Sequence, residues 1–221
     1  MADYKKPDYW QLKARKEGYP ARSVYKLKEI DEKFNLFKVP RISISGSPAD
    51  RVYIRVLDIG AAPGSWSLYV MRKFALIKNG FLAAADLSPL SREFDSDSRN
   101  RGLFDSENFF FIHGDVTTAE IRETILSKGQ YSLIISDAAP NTSGNHMIDS
   151  ARSLELAETV LSYGERALAS GGNLVIKIFQ GSGVDLLLKR MKALFFTAKS
   201  FKPEACRGES VETYFVGLGK K

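Results

Sequence analysis

Short apolar runs alternate with amphipathic segments along most of this chain. Continuous apolar runs of this length are typical of buried strands, and they occupy 54–59, 81–87, 108–114, 131–137 and 173–179. Between these runs, apolar residues recur at helical spacing over 64–77, 118–128, 150–169 and 183–195. Strands that alternate with helices in this way form a mostly parallel sheet with helices on both faces. The pattern therefore predicts an α/β fold.

The two ends of the chain depart from this alternation. Two strand-like runs at 199–204 and 212–219 follow one another without a helix, which predicts a closing hairpin. The hairpin brings the predicted sheet to seven strands, one of them antiparallel. Near the other end, residues 23–34 are predicted to form an amphipathic helix, with one apolar face made of Val24, Leu27, Ile30 and Phe34.

The organisation of domains follows from these elements. We expect a basic N-terminal extension over residues 1–20 and a single domain over 21–221. Two stretches are expected to be surface insertions: 41–51, which is rich in Ser, Gly and Pro, and 91–107, which is dense in charge.

Composition narrows the class of protein. The chain has 221 residues, 44% of them hydrophobic, which suits one compact domain. No apolar run reaches the roughly 18 residues that a membrane span needs, and the polar first ten residues do not resemble a signal peptide. The single cysteine, Cys206, excludes an internal disulfide and suits a reducing compartment. We therefore expect a cytoplasmic protein without a membrane partner.

Positive charge is concentrated at the two chain ends. Residues 1–41 and residues 189–221 each carry a net charge of +5, whereas residues 42–188 carry −4. If the two ends meet in the fold, they form a basic face suited to a polyanion such as RNA. The alternative is that these charges only keep the termini solvated.

The turn after the first apolar strand, "GAAPGSW" at 60–66, is a candidate ligand site. A dinucleotide fingerprint needs a further glycine between Gly60 and Gly64, and Pro63 removes an N–H that a diphosphate would use. A phosphate-binding P-loop is also excluded, because no Lys-Ser/Thr pair follows Gly64. A tight turn beside a carboxylate, Asp58, suits a ligand with a positive or zwitterionic end.

Acidic residues follow the next three predicted strands. Asp86 lies about 20 residues beyond the turn, the spacing at which a carboxylate binds ribose hydroxyls. Asp115 could accept a hydrogen bond from an adenine amino group, and Asp137 ends the fourth run. Each acid alone could be a helix N-cap. Together with the turn, the three acids indicate S-adenosylmethionine, with Asp58, Gly60 and Gly64 as further binding residues.

At these motifs the chain resembles the FtsJ/RrmJ type of ribosomal RNA 2′-O-ribose methyltransferases. The resemblance rests on five blocks: "ARSVYKLKEIDEKF" (21–34), "LDIGAAPGSWS" (57–67), "SDAAPNTSGNHMIDSARSLEL" (136–156), "GGNLVIKIFQG" (171–181) and "RGESVETYFVGLG" (207–219). It implies a Rossmann-like S-adenosylmethionine methyltransferase fold. It also implies a catalytic tetrad of Lys26, Asp137, Lys177 and Glu212. The implied cofactor contacts are Gly64, Trp66, Asp86, Asp115 and Asp137.

The tetrad suits transfer of a methyl group to a hydroxyl, with Lys177 as the candidate general base. A lysine must lose its proton to act in this way, so its pKa has to fall. Burial and Lys26 lower that pKa, whereas Asp137 and Glu212 raise it, and the sequence leaves the outcome open. By themselves, Lys26 could be surface charge and Glu212 an edge-strand charge, and Trp66 could be core filling.

We therefore expect an enzyme that methylates a ribose 2′-OH in RNA, most simply a uridine of 23S ribosomal RNA within the large subunit. A transfer RNA 2′-O-methyltransferase and a cofactor-binding RNA chaperone without activity are the alternatives. An NAD-dependent oxidoreductase disagrees with the glycine pattern. No metal is expected, because His113 and His146 are isolated, and a monomer is expected.

Overall fold

The computed structural model describes residues 8–43, 52–77 and 80–221. The helices are α1 (Tyr9–Lys16), α2 (Val24–Phe34), α3 (Ser65–Ile77), α4 (Ala119–Ser127), α5 (His146–Ala167) and α6 (Val184–Leu194). The strands are β1 (Ile42–Ser43), β2 (Val52–Ile59), β3 (Gly80–Asp86), β4 (Phe109–His113), β5 (Tyr131–Ser136), β6 (Leu168–Phe179), β7 (Phe195–Phe201) and β8 (Glu212–Lys220). Within the described ranges, no helix combines the length and apolar character needed to cross a membrane.

The main sheet has the strand order β4-β3-β2-β5-β6-β8-β7. Neighbouring strands are parallel except β8, which runs antiparallel to both β6 and β7. This confirms the predicted seven strands with one antiparallel member, and the short β1 adds an antiparallel pair with β2. The chain reverses its direction of travel across the sheet between β2 and β5, the place where open α/β sheets bind ligands.

Alternation along the central strands supplies two separate cores. On β2, Val56 belongs to the cluster that contains residues of α2 and α3, whereas Leu57 and Ile59 belong to the cluster that contains residues of α4, α5 and α6. Successive side chains of a strand point to opposite faces, so an unbroken apolar run fills both layers. The structure thus confirms helices on both faces.

The predicted amphipathic helix is α2, and it joins the two ends of the chain. Val24, Leu27 and Ile30 are fully buried. The Glu29 carboxylate accepts hydrogen bonds from the backbone N–H groups of Glu204 and Ala205, at 2.6 and 2.9 Å. The N-terminal helices and the C-terminal strands are therefore neighbours, as the charge pattern requires for a common basic face.

Several boundaries differ from the sequence prediction. Helix α1 was not predicted; it begins at a capping box in which Asp8 Oδ1 accepts from the Gln11 N–H at 2.9 Å and Gln11 Oε1 accepts from the Asp8 N–H at 3.0 Å. Strand β6 begins at Leu168 because α5 runs directly into it, and β7 begins where α6 ends. The division at residue 20 stays a prediction, although Ala14 and Tyr19 share a buried cluster with α2 and α3.

The segment 91–107 is not merely a surface insertion, which corrects the prediction. Asn100 is only 2% exposed, and its Nδ2 donates to the Gly18 carbonyl at 2.8 Å. Phe104 is also buried and packs against Phe109 with ring centroids 4.7 Å apart. Two buried anchors therefore fix a charge-dense segment to the core. Of the other proposed insertion, 41–51, only 41–43 lie within the described residues, and residues 42–43 form β1.

Candidate active site

The turn after β2 brings two backbone segments into close contact. Gly60 has a φ of +77°, and a Cβ on it would lie 2.5 Å from Ala138 Cα, so only glycine fits. The Gly60 N–H donates to the Ala85 carbonyl at 2.9 Å, which fixes the turn to the end of β3. The turn thus lies where β2, β3 and β5 end.

A cleft of about 300 Å³ opens at this edge of the sheet, within the size range of small-molecule sites. Gly60, Asp86, Asp115 and Asp137 are among the residues that line it. Asp86 accepts from the Ala62 N–H at 2.9 Å and from the Ser88 N–H at 2.7 Å. Since a carboxylate has about four acceptor positions, Asp86 can still bind ligand hydroxyls.

Asp115 is held at the cleft by Thr117. Its Oδ1 accepts from the Thr117 N–H at 2.9 Å and from the Thr117 hydroxyl at 2.8 Å. These hydrogen bonds from the backbone and the side chain of Thr117 lower the pKa of Asp115, so that the carboxylate is ionised and able to accept further hydrogen bonds.

Three of the predicted cofactor residues lie away from the lining of this cleft. Asp58 is fully buried; its Oδ2 accepts from the Ser67 hydroxyl at 2.7 Å, and its Oδ1 has no hydrogen-bond partner among the described residues. Trp66 is 2% exposed and its Nε1 donates to the Ser23 carbonyl at 2.8 Å, joining α3 to the start of α2. Gly64 faces Phe104, 3.2 Å from the position of an added Cβ.

Burial governs the ionisation of Asp58. Removal from water raises the pKa of this carboxyl to about 7, and the Ser67 hydrogen bond opposes that rise only in part. The nearby negative charges of Asp137 and Asp86 act in the same direction as burial. Within the described part of the chain, no cation therefore compensates the charge of this carboxyl group.

The four residues of the expected tetrad lie together. Lys177 Nζ is 3.2 Å from Asp137 Oδ1 and 3.5 Å from Glu212 Oε2, and Lys26 Nζ is 2.7 Å from Glu212 Oε1. All four side chains are at most 15% exposed. They come from α2, the end of β5, β6 and β8. The antiparallel pairing of β6 with β8 sets Glu212 opposite Phe179, which places Glu212 near the end of β6. Two positive and two negative charges balance within the group.

Two neighbouring carboxylates determine the direction in which the pKa of Lys177 shifts. Burial lowers the pKa of Lys177, but the negative charges of Asp137 and Glu212 outweigh it, so that the pKa is raised. Burial alone raises the pKa of Glu212, and the cations Lys26 and Lys177 more than reverse that effect, so that it is lowered. Without a ligand in the cleft, Lys177 is therefore protonated and Glu212 is ionised.

Tyr214 is a site residue that sequence reasoning missed. Its hydroxyl donates to Asp137 Oδ1 at 2.6 Å, and its ring lies 6.0 Å from Lys26 Nζ. The available signal was position, since Tyr214 follows Glu212 by two residues on β8 and so shares its face of the strand.

A second cavity, of about 280 Å³, adjoins the tetrad. Lys26 and Glu212 line it together with Arg22, Ser23, Arg207 and Ser210. Asp137 lines the first cleft, and Lys177 contacts both Asp137 and Glu212, so the tetrad lies between the two spaces. Such an arrangement can hold two reactants on either side of Lys177.

Comparison with known proteins agrees with this geometry. Residues 19–220 match the family model described as FtsJ-like methyltransferase. "Ribosomal RNA large subunit methyltransferase E" of Treponema denticola is 45% identical over 218 residues, which cover 99% of this chain and 97% of that protein. The protein of the same name from Borrelia duttonii is 40% identical, covering 95% of this chain and 94% of its own length.

Solved structures share the fold. A ribosomal RNA methyltransferase from Plasmodium falciparum superposes with a TM-score of 0.68 at 23% identity, covering 91% of this chain and 98% of that one. Human methyltransferase-like protein 13, solved in complex with SAH, superposes with a TM-score of 0.51 at 15% identity, covering 75% and 71%. Because the family model and the relatives cover nearly the whole chain, this protein belongs to the FtsJ-like methyltransferase family.

Proposed function

We propose that this protein transfers a methyl group from S-adenosylmethionine to a ribose 2′-OH of large-subunit ribosomal RNA, with a uridine of 23S RNA as the target. The observation that carries the proposal is Lys177, held between Asp137 and Glu212 beside the cleft. Support for the RNA comes from the relatives, which are named as methyltransferases of the large-subunit ribosomal RNA.

The cleft suits S-adenosylmethionine, which supplies a methyl group on a positively charged sulfur. Asp86 would accept hydrogen bonds from the ribose hydroxyls and Asp115 from the adenine amino group, since both carboxylates line the cleft. Asp137 lines the cleft next to Gly60 and would face the positive end. Further support comes from the human structural neighbour, which was solved with SAH.

Lys177 would receive the proton that the ribose hydroxyl loses. In the state described, its raised pKa keeps Nζ protonated. The positive charge of the cofactor, bound in the cleft near Asp137, would lower that pKa and favour transfer of one Nζ proton to water before the RNA binds, so that neutral Nζ could then accept the hydroxyl proton. Lys26, bound to Glu212 at 2.7 Å, would stabilise the developing negative charge on the oxygen.

A transfer assay with three RNAs tests the proposal. The protein is incubated with methyl-labelled S-adenosylmethionine and large ribosomal subunits, protein-free 23S RNA or total transfer RNA, and the modified nucleotides are mapped. We expect 2′-O-methyl uridine in the large-subunit RNA. Label in transfer RNA alone, or label on a base, would contradict the proposal. Binding of the cofactor without any transfer would instead favour the chaperone.

A further inference from the structure

One face of α1 exposes two large apolar side chains, although the Tyr9 ring also makes an edge contact with Trp10 at a centroid distance of 5.3 Å. Tyr9, Leu12, Lys13 and Lys16 are spaced so that they share a face of the helix, which we call the α1 face. Tyr9 is 67% exposed and Leu12 is 55% exposed. The opposite side of the helix packs into the core through Ala14, which is 1% exposed, so α1 is fixed in place.

The α1 face is one wall of a concavity of about 520 Å³, and Arg99 from the segment 91–107 is part of the other. Arg99 Nη2 donates to the Lys16 carbonyl at 3.1 Å, and Arg99 also binds the Asp97 carboxylate at 2.5 and 2.8 Å. The anchor of Asn100 on Gly18 lies next to Arg99. Both walls are therefore held by contacts that do not depend on a ligand.

The charge of this concavity is positive. Among the described residues, Lys13, Lys16 and Arg99 line it with one acid, Glu17, which is paired with Lys28 Nζ at 2.5 Å. Arg99 is paired with Asp97, so the net positive charge comes from Lys13 and Lys16. Lys13 Nζ lies 4.8 Å from the centre of the Tyr25 ring and 6.0 Å from that of Tyr9, which keeps it beside the exposed ring. Cations around an accessible aromatic ring match the chemistry of single-stranded nucleic acid.

We propose that the α1 face and Arg99 are a docking site for an unpaired stretch of RNA, with one base stacked on Tyr9 and neighbouring phosphates next to Lys13 and Lys16. The proposal rests on the proposed function and adds where RNA is held outside the catalytic tetrad. An exposed ring stacks on any base, and the lysines neutralise phosphates and release counterions. The cations at the rim favour RNA over a protein partner as the occupant.

Binding of a labelled oligouridine, compared with a duplex RNA of equal length, tests the site. We expect Tyr9→Ala to weaken binding of the single strand by about 5- to 100-fold, with a much smaller effect on the duplex. Tyr9→Phe should retain the affinity, because the ring remains. Lys16→Gln should reduce the slope of log affinity against log salt by about one.

Matched controls separate a local effect from a general one. Phe196 on β7 is 77% exposed, so Phe196→Ala removes an equally accessible ring outside the proposed site. Arg166→Gln removes an exposed charge from α5. Neither control should change RNA affinity, and none of the variants should change the affinity for S-adenosylmethionine. Equal losses in Tyr9→Ala and Phe196→Ala would overturn the proposal.

Methylation assays distinguish failure of the site from failure of the function. With large-subunit RNA as substrate, Tyr9→Ala should raise the KM for RNA and leave kcat unchanged. If the wild type methylates this RNA and Tyr9→Ala alters neither affinity nor KM, the docking site is wrong. A KM effect seen only with intact subunits and never with protein-free RNA would assign the face to a ribosomal protein and overturn the proposal. If the wild type methylates no RNA but its RNA binding still depends on Tyr9, the docking site would be supported and the proposed function would be rejected.

Discussion

Two buried carboxylates, Asp58 beneath the turn after β2 and Glu212 in the tetrad, have pKa values shifted in opposite directions. Asp58 has a hydroxyl donor and, in the ranges that the structure describes, no cation beside it, and burial raises its pKa to about 7. Glu212 is nearly as buried, but Lys26 and Lys177 contact it, and its pKa is lowered. The same residue chemistry is thus tuned in opposite directions by the presence or absence of a cation within about 4 Å.

The two regions also differ in how they are assembled. The turn and the cleft are built where neighbouring strands of the sheet end, and backbone N–H groups hold the side chains there, such as the Ala62 N–H on Asp86. The tetrad uses side chains from four distant segments, which meet only when α2 and β8 pack at the end of β6. Damage to the first region should therefore impair binding of the cofactor, and damage to the second should impair the chemical step.

The largest effect is expected from Lys177→Ala. Loss of the group proposed to accept the hydroxyl proton should reduce kcat by about 10²- to 10⁴-fold. Affinity for S-adenosylmethionine should stay within a few-fold, because Lys177 is not part of the cleft lining. Single-turnover methyl transfer and calorimetry measure the two quantities separately.

Lys189→Ala, which removes an exposed lysine from α6, is the matched control and should behave as the wild type. A Lys177→Ala rate within about tenfold of the wild type would remove Lys177 from the role of general base. A collapse of its melting temperature would show instead that the lysine is structural, since Asp137 and Glu212 would then lack their shared cation.

Asp86→Ala should weaken binding of the cofactor in the cleft and leave the tetrad intact. The variant loses the proposed acceptor for the ribose hydroxyls, and we expect cofactor binding to weaken by about 1–3 kcal/mol, with kcat at saturating cofactor little changed. Calorimetry with S-adenosylmethionine and with NAD checks this, and NAD should bind neither protein. Glu107→Ala, which removes an exposed acid, is the control. Unchanged cofactor affinity, or tighter binding of NAD by the wild type, would contradict the assignment of the cleft.

Tyr214→Phe should sharpen the comparison, because it removes one hydroxyl from the tetrad and leaves the ring. A hydrogen bond to a charged group contributes about 1.5–3 kcal/mol, so we expect kcat to fall by roughly tenfold or more as Asp137 loses its donor. Cofactor affinity should be unchanged. The control is Tyr131→Phe, whose buried hydroxyl donates to the Ile125 carbonyl instead. Equal rates in the two variants would show that Tyr214 does not position Asp137.

The sheet and the turn could be predicted from the sequence because their signals are local. An apolar run or a glycine turn predicts the structure of the same residues that carry it. The sequence therefore predicted β2 and the turn at 60–66 to within a few residues. Lys26 and Glu212 carry no such signal, since their burial depends on the packing of α2 against the C-terminal strands. Only the family resemblance brought them together, and it offered nothing for Tyr214.

Helix α1 and the segment 91–107 escaped prediction for a related reason. In α1 the exposed positions include Tyr9 and Leu12, so the apolar pattern does not mark the face that packs inward. In 91–107 the charged residues outnumber the two anchors, Asn100 and Phe104, and the density of charge conceals them. A pattern averaged over a segment cannot report a contact made by one or two residues with a distant part of the chain.

The last expected effect, that of Asp58→Asn, concerns stability and not catalysis. The folded-state pKa of about 7 lies above the value near 4 of an exposed aspartate, so the fold favours the protonated form. The stabilising contribution of this group is therefore complete below about pH 4 and is lost as the pH rises to about 7.

Asparagine keeps an acceptor for Ser67 and cannot ionise. The variant should thus be more stable than the wild type, by a margin on the order of 1–4 kcal/mol that grows from pH 5 to pH 8. The difference between the two melting temperatures should grow over the same range. Glu107→Gln should show no such growth, because Glu107 is exposed. A margin that stays constant or shrinks as the pH rises would mean that Asp58 is compensated after all, and the contrast between the turn and the tetrad would fail.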